Sequence, residues 1–254
     1  MVGRPCARVK RMPNTALQRD PLYRQIYKIL ETRILSNELK VGDTLPAEQV
    51  LADNLQVHRS SVREAMRLLE ENGLVERKPG GKKLIVRSPD RDKLSSRIFN
   101  TLILEEVTVR ELYEAIRILD AEIATVAAEK ISPELLHKME ENLRQTEANL
   151  GDNAALEVLD LEFHSLIAEG SCNRVLQLSR LGIAHVFLPA ANRLMKQLDV
   201  NQRLLDAHRQ IYRGLRDHDP EQVRTWVLKH ADDFVRGYEV AGLDLDAPVS
   251  FTDQ

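Results

Sequence analysis

"GDTLPAEQVLADNLQVHRSSVREAMRLLEENGLVERK", residues 42–78, holds two short apolar-periodic segments separated by a polar break. Pro46 stands near a first helical turn, and Val50, Leu51 and Leu55 follow at helical spacing, which predicts a short helix. "QVHRS" interrupts the pattern. Val62, Met66 and Leu69 then resume it on one stripe as far as Gly73, a residue suited to the left-handed turn that closes a helix. Ser61 and Glu64 have the spacing of a capping box and are read as one. Upstream, Leu22, Ile26, Ile29, Leu30 and Ile34 mark a first helix that ends near Asn37. Downstream, Leu74-Val75 and Leu84-Ile85-Val86 flank a turn signal at Pro79-Gly80-Gly81 and predict a β-hairpin. Helix, short helix, tight turn, helix and hairpin within roughly 70 residues is the order of a winged helix-turn-helix.

The whole chain of 254 residues has room for two domains that each bury a core. Aromatic residues make up only 4%, which disfavours an all-β sandwich, and 43% hydrophobic with 30% charged is an ordinary globular balance. The fold class expected is mainly α: a winged helix-turn-helix with a small hairpin wing, followed by an all-α bundle. Residues 1–20 read as a flexible basic tail, 21–87 as the winged domain, 88–94 ("SPDRDK" and the residue after it) as a linker, 95–240 as the bundle and 241–254 as a C-terminal tail. In the bundle, Ser132-Pro133-Glu134 and Asp219-Pro220-Glu221 each supply a cap, a proline for the first helical position and an acid for the dipole.

Charge is unevenly placed. The first 90 residues carry 17 Lys and Arg against 11 Asp and Glu, a net of +6, so the remainder carries −9; one end suits a polyanion and the other does not. Apolar runs fall short of the roughly 20 residues that span a bilayer, no hydrophobic core follows the basic start, and Cys6 and Cys172 are too few for a disulfide framework. The cytoplasm is the expected compartment.

In a helix-turn-helix the start of the third helix enters the major groove. Here that start is His58, Arg59, Ser60, Ser61 and Arg63, with Lys82 and Lys83 on the hairpin tip. Arginine suits guanine edges or phosphates and serine suits phosphates; surface solvation is the bland alternative for each arginine taken alone. The position of the residues in the motif favours double-stranded operator DNA, read as a pseudo-palindrome by a homodimer.

Residues 42–78 resemble the GntR family of bacterial transcription regulators, matching its pattern at Gly42, Leu45, Pro46, Glu48, Leu51, Ala52, Leu55, Val57, Arg59, Val62, Arg63, Glu64, Ala65, Leu69, Gly73, Leu74 and Val75. Three departures bear on base preference. Gln49 stands where many relatives carry an operator-contacting arginine, which adds Gln49 to the DNA-binding candidates; His58 replaces a serine; and the wing reads "GGKKLIV".

In the second half, "VLDLEFHSLIAEG" (158–170) places Asp160 and His164 four apart, a spacing that alone fits an ordinary helix-surface pair. His208 and His230 lie near apolar stripes of two further predicted helices, so the chain offers three imidazoles and a carboxylate to a metal ion. "DLEFHSLIAEGSCNRVL" and "HRQIYRGLRDHDPEQVRTWVLKH" are similar to two segments of the FCD ligand-binding domain, of the FadR-type subfamily. The resemblance implies Asp160, His164, His208 and His230 as ligands of a divalent metal, zinc first, with nickel, manganese or iron as alternatives. It also implies that Arg117 reaches an effector cavity, against a local Arg117–Asp120 pair at i and i+3 as the other reading. His185 is read as an ordinary partly buried histidine, with an alternative metal ligand as the other reading, and His218 as exposed. Together these readings give a regulator, taken as a repressor, whose operator affinity responds to a small organic acid at the metal. A purely structural metal ranks second, and a metal-dependent hydrolase is remote because no activated nucleophile or dedicated base is evident.

Overall fold

The computed structural model describes residues 20–78, 80, 81, 83–88 and 90–250. The chain separates between residues 89 and 90 into two compact units. Among the described residues there are ten helices and one two-stranded hairpin, so the fold is mainly α with a winged helix-turn-helix first.

In the first unit, α1 (Leu22–Leu35) buries Ile26, Leu30 and Ile34, one residue per turn on a single face. Helices α2 (Glu48–Leu55) and α3 (Arg59–Glu71) are joined by a turn in which Gln56 takes a left-handed conformation (φ 53°, ψ 45°) and the Val57 amide returns to the Ala52 carbonyl. The expected Ser61–Glu64 capping box does not form. The cap is His58, whose Nδ1 accepts from the Ser60 amide at 3.3 Å. With α3 starting at Arg59, Ser61 lies inside its first turn and Glu64 pairs with Arg67 at 2.6 Å. Gly73 (φ 74°) ends α3: its amide reaches Glu70 and the Leu74 amide reaches Leu69, so the last carbonyls are satisfied by a turn that a side chain would strain. Strands β1 (Val75–Arg77) and β2 (Leu84–Val86) pair antiparallel with Val75 opposite Val86. Val75, Leu84 and Val86 join Leu30, Val62 and Leu69 in one core, which is what fixes the wing to α3.

The second unit is a seven-helix bundle: α4 (Arg91–Leu104), α5 (Val109–Lys130), α6 (Pro133–Ala148), α7 (Asn153–Gly170), α8 (Arg174–Gln197), α9 (Asn201–Arg216) and α10 (Pro220–Val240). Ser132 and Asp219 cap α6 and α10 through their side chains, each with proline at the next position. Helix α5 presents Ala121, Ala124, Ala127 and Ala128 to the core, and these small side chains leave room for Phe163, Leu205, Ile211 and Leu215 from the helices around it. A second cluster gathers Val186, Ala190, Leu194 and Tyr238.

Two boundaries differ from expectation. Helix α4 begins at Arg91, inside the span read as linker. Residues 241–250 are not a loose tail: Leu245 and Val249 are buried in the second cluster, and the amides of Val109 and Arg110 donate to the carbonyls of Ala247 and Leu245. The segment has no helical or strand period because it is held by two anchor side chains and backbone bonds. The tail expected over residues 1–20 lies, but for Asp20, outside the described residues. No helix is long and apolar enough to cross a membrane among the described residues.

Candidate functional site

At the start of α3 the side chains of His58, Arg59, Ser60 and Arg63 are exposed, and Ser61 is half-buried. Ser60 Oγ lies 2.7 Å from His58 Nδ1, so the residue that caps the helix is also tied to a proposed contact. Arg59 Nε and Arg63 Nε both meet one oxygen of Glu48, Oε2, at 2.9 and 3.3 Å. Sequence reading had placed Glu48 only within a motif; its carboxylate, in the first turn of α2, spans the helix-turn-helix and gathers both arginines. Gln49 is exposed and donates to Asp53 at 2.8 Å. Lys83 is exposed beside β2, whereas Lys82 lies outside the described residues.

In the second unit, α7 supplies Asp160 and His164, α9 supplies His208 and α10 supplies His230, each offering a donor atom within 4.8 Å of the others. His164 Nε2 is 3.4 Å from His230 Nε2 and 3.8 Å from Asp160 Oδ1; His208 Nε2 is 3.3 Å from the same oxygen. The surface-pair reading of Asp160 and His164 therefore fails on two counts: their contact is too long for a hydrogen bond, and two more imidazoles converge on it. His208 is fully buried, its ring stacked on Phe163 with centroids 3.9 Å apart. Asp160 Oδ1 and both nitrogens of His208 are buried without a hydrogen-bond partner among the described residues. Unsatisfied buried donors and acceptors are rare in folded proteins. One cation at the centre would satisfy this carboxylate oxygen and one nitrogen of each ring, so the residues fit a metal of tetrahedral or higher coordination with nitrogen and oxygen donors.

Burial pushes His164 and His230 down to about 3. For Asp160 burial acts upward, but the three histidines around it outweigh that and hold its carboxyl below the usual carboxylate range. His164 and His230 are thus preset as neutral imidazoles beside an ionised Asp160, the protonation states in which these side chains bind metal.

Three of the four donors open onto a cavity of about 210 Å³. Asp160, His164 and His230 line it with Asp120 and Arg180, and Phe187, Leu194 and Phe234 contribute apolar wall. Arg180 is 7% exposed and forms a two-pronged pair with Asp120, Nε to Oδ1 at 2.7 Å and Nη2 to Oδ2 at 3.3 Å. Asp120 Oδ2 in turn lies 3.5 Å from His164 Nδ1. Arg117 does not line this cavity. Its Nε donates to Asp232 at 2.7 Å, and the Tyr113 hydroxyl donates to the same oxygen at 2.7 Å. Neither expectation for Arg117 is realised, because Asp120 faces inward to Arg180 and Asp232 is the acid within reach. Sequence reading passed over Arg180, although it is a lone charge in register with Leu176, Ala184 and Phe187 on α8, a signal that could have singled it out. His185 bonds Ser95 Oγ at 2.7 Å and stands outside the donor group; exposed His218 donates to the Ala128 carbonyl at 2.7 Å.

The depressed histidines set a pH dependence. Between about 3 and the unfolded value of about 6.5 the unfolded chain binds more protons than the folded one, so stability rises with pH there. Metal-free protein should therefore keep its full stability above about 6.5 and lose it as pH falls toward 3, with Asp160 adding to the loss at the acid end. Urea midpoints measured in chelator at pH 7.5 and 5 test this; equal midpoints would contradict the burial of neutral imidazoles.

Comparison with known proteins gives the family of both units. Residues 22–82 match the model of the "Bacterial regulatory proteins, gntR family", and residues 111–233 match that of the FCD domain. The chain is 29% identical over 213 residues to the HTH-type transcriptional regulator LutR of Bacillus subtilis, covering 81% of this chain and 97% of LutR. It is 26% identical over 219 residues to the HTH-type transcriptional repressor NanR of Cronobacter sakazakii, covering 84% of each. A solved structure, Streptococcus agalactiae GntR, superposes with a TM-score of 0.54 at 26% identity, over 84% of this chain and 99% of that one. The chain belongs to the GntR family of bacterial regulatory proteins: it is a DNA-binding transcription regulator with an FCD effector-binding domain, and not an enzyme.

Proposed function

We propose that the protein is a homodimeric repressor that releases its operator when a small carboxylate enters the cavity beside a divalent metal held by Asp160, His164, His208 and His230. The observation that carries this reading is the orphaned buried atoms of a four-donor group, three of whose residues line that cavity. Three imidazoles and a carboxylate, without thiolate, suit zinc first, with nickel, manganese and iron also compatible. When bound, such an ion offers a Lewis-acid position that an oxygen donor can fill.

The class of effector follows from what surrounds the donors. Arg180, buried at the cavity, presents a guanidinium, the side chain best matched to a carboxylate. Arg117 is replaced in this role, since Arg180 lines the cavity and Arg117 does not. A cavity of about 210 Å³ with apolar walls suits an acid of a few carbons. NanR, named a repressor, supports the repressor assignment by likeness. An effector alters operator affinity only through unequal affinity for the chain's DNA-competent and DNA-incompetent states. A second reading, a metal that only braces the bundle, is favoured by the stacking of fully buried His208 on Phe163.

On the DNA side, His58, Arg59, Ser60, Ser61 and Arg63 read the major groove, Gln49 flanks them, and Lys82 and Lys83 take phosphates. Glu48 holds the two arginines until phosphate or guanine replaces it. Arg59→Ala and Arg63→Ala should each weaken binding to an operator selected from random duplex DNA by about 1–3 kcal/mol. Gel-shift titrations giving wild-type affinity for both variants would remove α3 from the groove.

The effector is tested by thermal shift with a panel of mono- and dicarboxylates of two to six carbons, with and without chelator. At least one acid should stabilise the metal-loaded protein, lose that effect in chelator and in Arg180→Lys, keep it in Arg117→Ala, and lower operator affinity. Stabilisation indifferent to chelator would favour the structural-metal reading.

A further inference from the structure

We propose that Asp120 is a positioning residue of the metal site, held by Arg180 so that its carboxylate fixes which nitrogen of His164 faces the other donors. The inference rests on the metal reading above and adds a residue outside the four donors.

A neutral imidazole carries one N–H and one lone pair, and only the lone pair can bind a cation. His164 has its two nitrogens in different company. Nε2 points into the donor group, 3.4 Å from His230 Nε2 and 3.8 Å from Asp160 Oδ1, whereas Nδ1 points away to Asp120 Oδ2 at 3.5 Å. A carboxylate beside Nδ1 favours the tautomer with the proton on Nδ1, which leaves the Nε2 lone pair aimed at the site. The opposite tautomer would put an N–H among the donors and block one of them. An outer carboxylate on a ligating histidine both fixes the ring and raises its basicity.

Arg180 makes this arrangement stiff. Its two contacts hold both oxygens of Asp120, and both side chains are over nine-tenths buried. Buried ion pairs seldom add net stability over apolar replacements, so a pair kept beside a cavity and a donor histidine calls for a reason other than bracing. The three residues come from three helices, Asp120 from α5, His164 from α7 and Arg180 from α8. The carboxylate thus reaches the donor group without being part of it.

The test uses the full-length protein and Zn²⁺ alone, titrated in competition with a chromophoric chelator. Asp120→Asn should weaken Zn²⁺ binding by about 10- to 100-fold, and Asp120→Glu should restore most of it. Long-range ¹H–¹⁵N correlations of the metal-free protein should find His164 protonated on Nδ1 in the wild type and a mixture of tautomers in Asp120→Asn. If Asp120→Asn does not fold, the double variant Asp120→Leu/Arg180→Met removes both charges together and should show the same loss of Zn²⁺ affinity. Wild-type Zn²⁺ affinity in either folded variant overturns the proposal. Equal weakening by Asn and Glu, with the wild-type tautomer retained, also overturns it and leaves Asp120 as a helix-to-helix tie. A wild type that binds no Zn²⁺ would sink the metal reading instead, and the metal-free tautomer would still decide whether Asp120 orients His164.

Discussion

A carboxylate oxygen and three imidazoles forced together inside an apolar bundle are the constraint on which the second unit depends. Desolvating such groups is costly unless each finds a partner, and here Asp160 Oδ1 and both nitrogens of His208 have no hydrogen-bond partner among the described residues. The same burial that makes the arrangement costly also keeps His164 and His230 neutral, pushed down to about 3. The helices that carry the donors are packed by the alanine face of α5 and by Phe163, on which His208 stacks. Core packing and donor geometry are therefore one property: the side chains that fill the bundle also set the rings at their angles.

Around that centre the charges are layered. Asp160 is part of the donor group, Asp120 stands behind His164, and Arg180 stands behind Asp120 while also lining the cavity. A guanidinium in that place serves two ends, restraining an acid that orients a histidine and presenting positive charge to whatever enters. The first unit repeats the principle at its surface, where Glu48 gathers Arg59 and Arg63. There the pairs are exposed, so each is weak, and phosphate can displace the acid at small cost.

Much of the fold could be read from residues 22–86, because turn residues and apolar stripes there agree at every step: Gly73 does adopt the left-handed conformation and Val75, Leu84 and Val86 do reach the core. The Ser61–Glu64 spacing misled because a histidine three residues upstream of Ser61 can also accept an amide hydrogen bond. Residues 241–250 misled because two anchors, Leu245 and Val249, leave no periodic trace. The convergence of His164 and His230, 66 residues apart, is beyond any spacing argument; the apolar stripes offered the four residues as a set, and the resemblance to FCD segments assigned them as ligands of one ion. Arg117 was legible as a charge on α5, but which acid it would meet depended on the rotation of α5 against α8 and α10. That rotation turns Asp120 inward to Arg180 and leaves Arg117 to Asp232.

One ion shared by the four donors is what the metal site requires. X-ray absorption at the metal edge of the Zn²⁺-loaded protein measures this most directly. It should give three imidazole nitrogens at about 2.0–2.1 Å and at least one oxygen at about 2.0–2.2 Å, with one imidazole lost in His208→Ala. A spectrum with fewer than three imidazoles, or one unchanged in that variant, would contradict it.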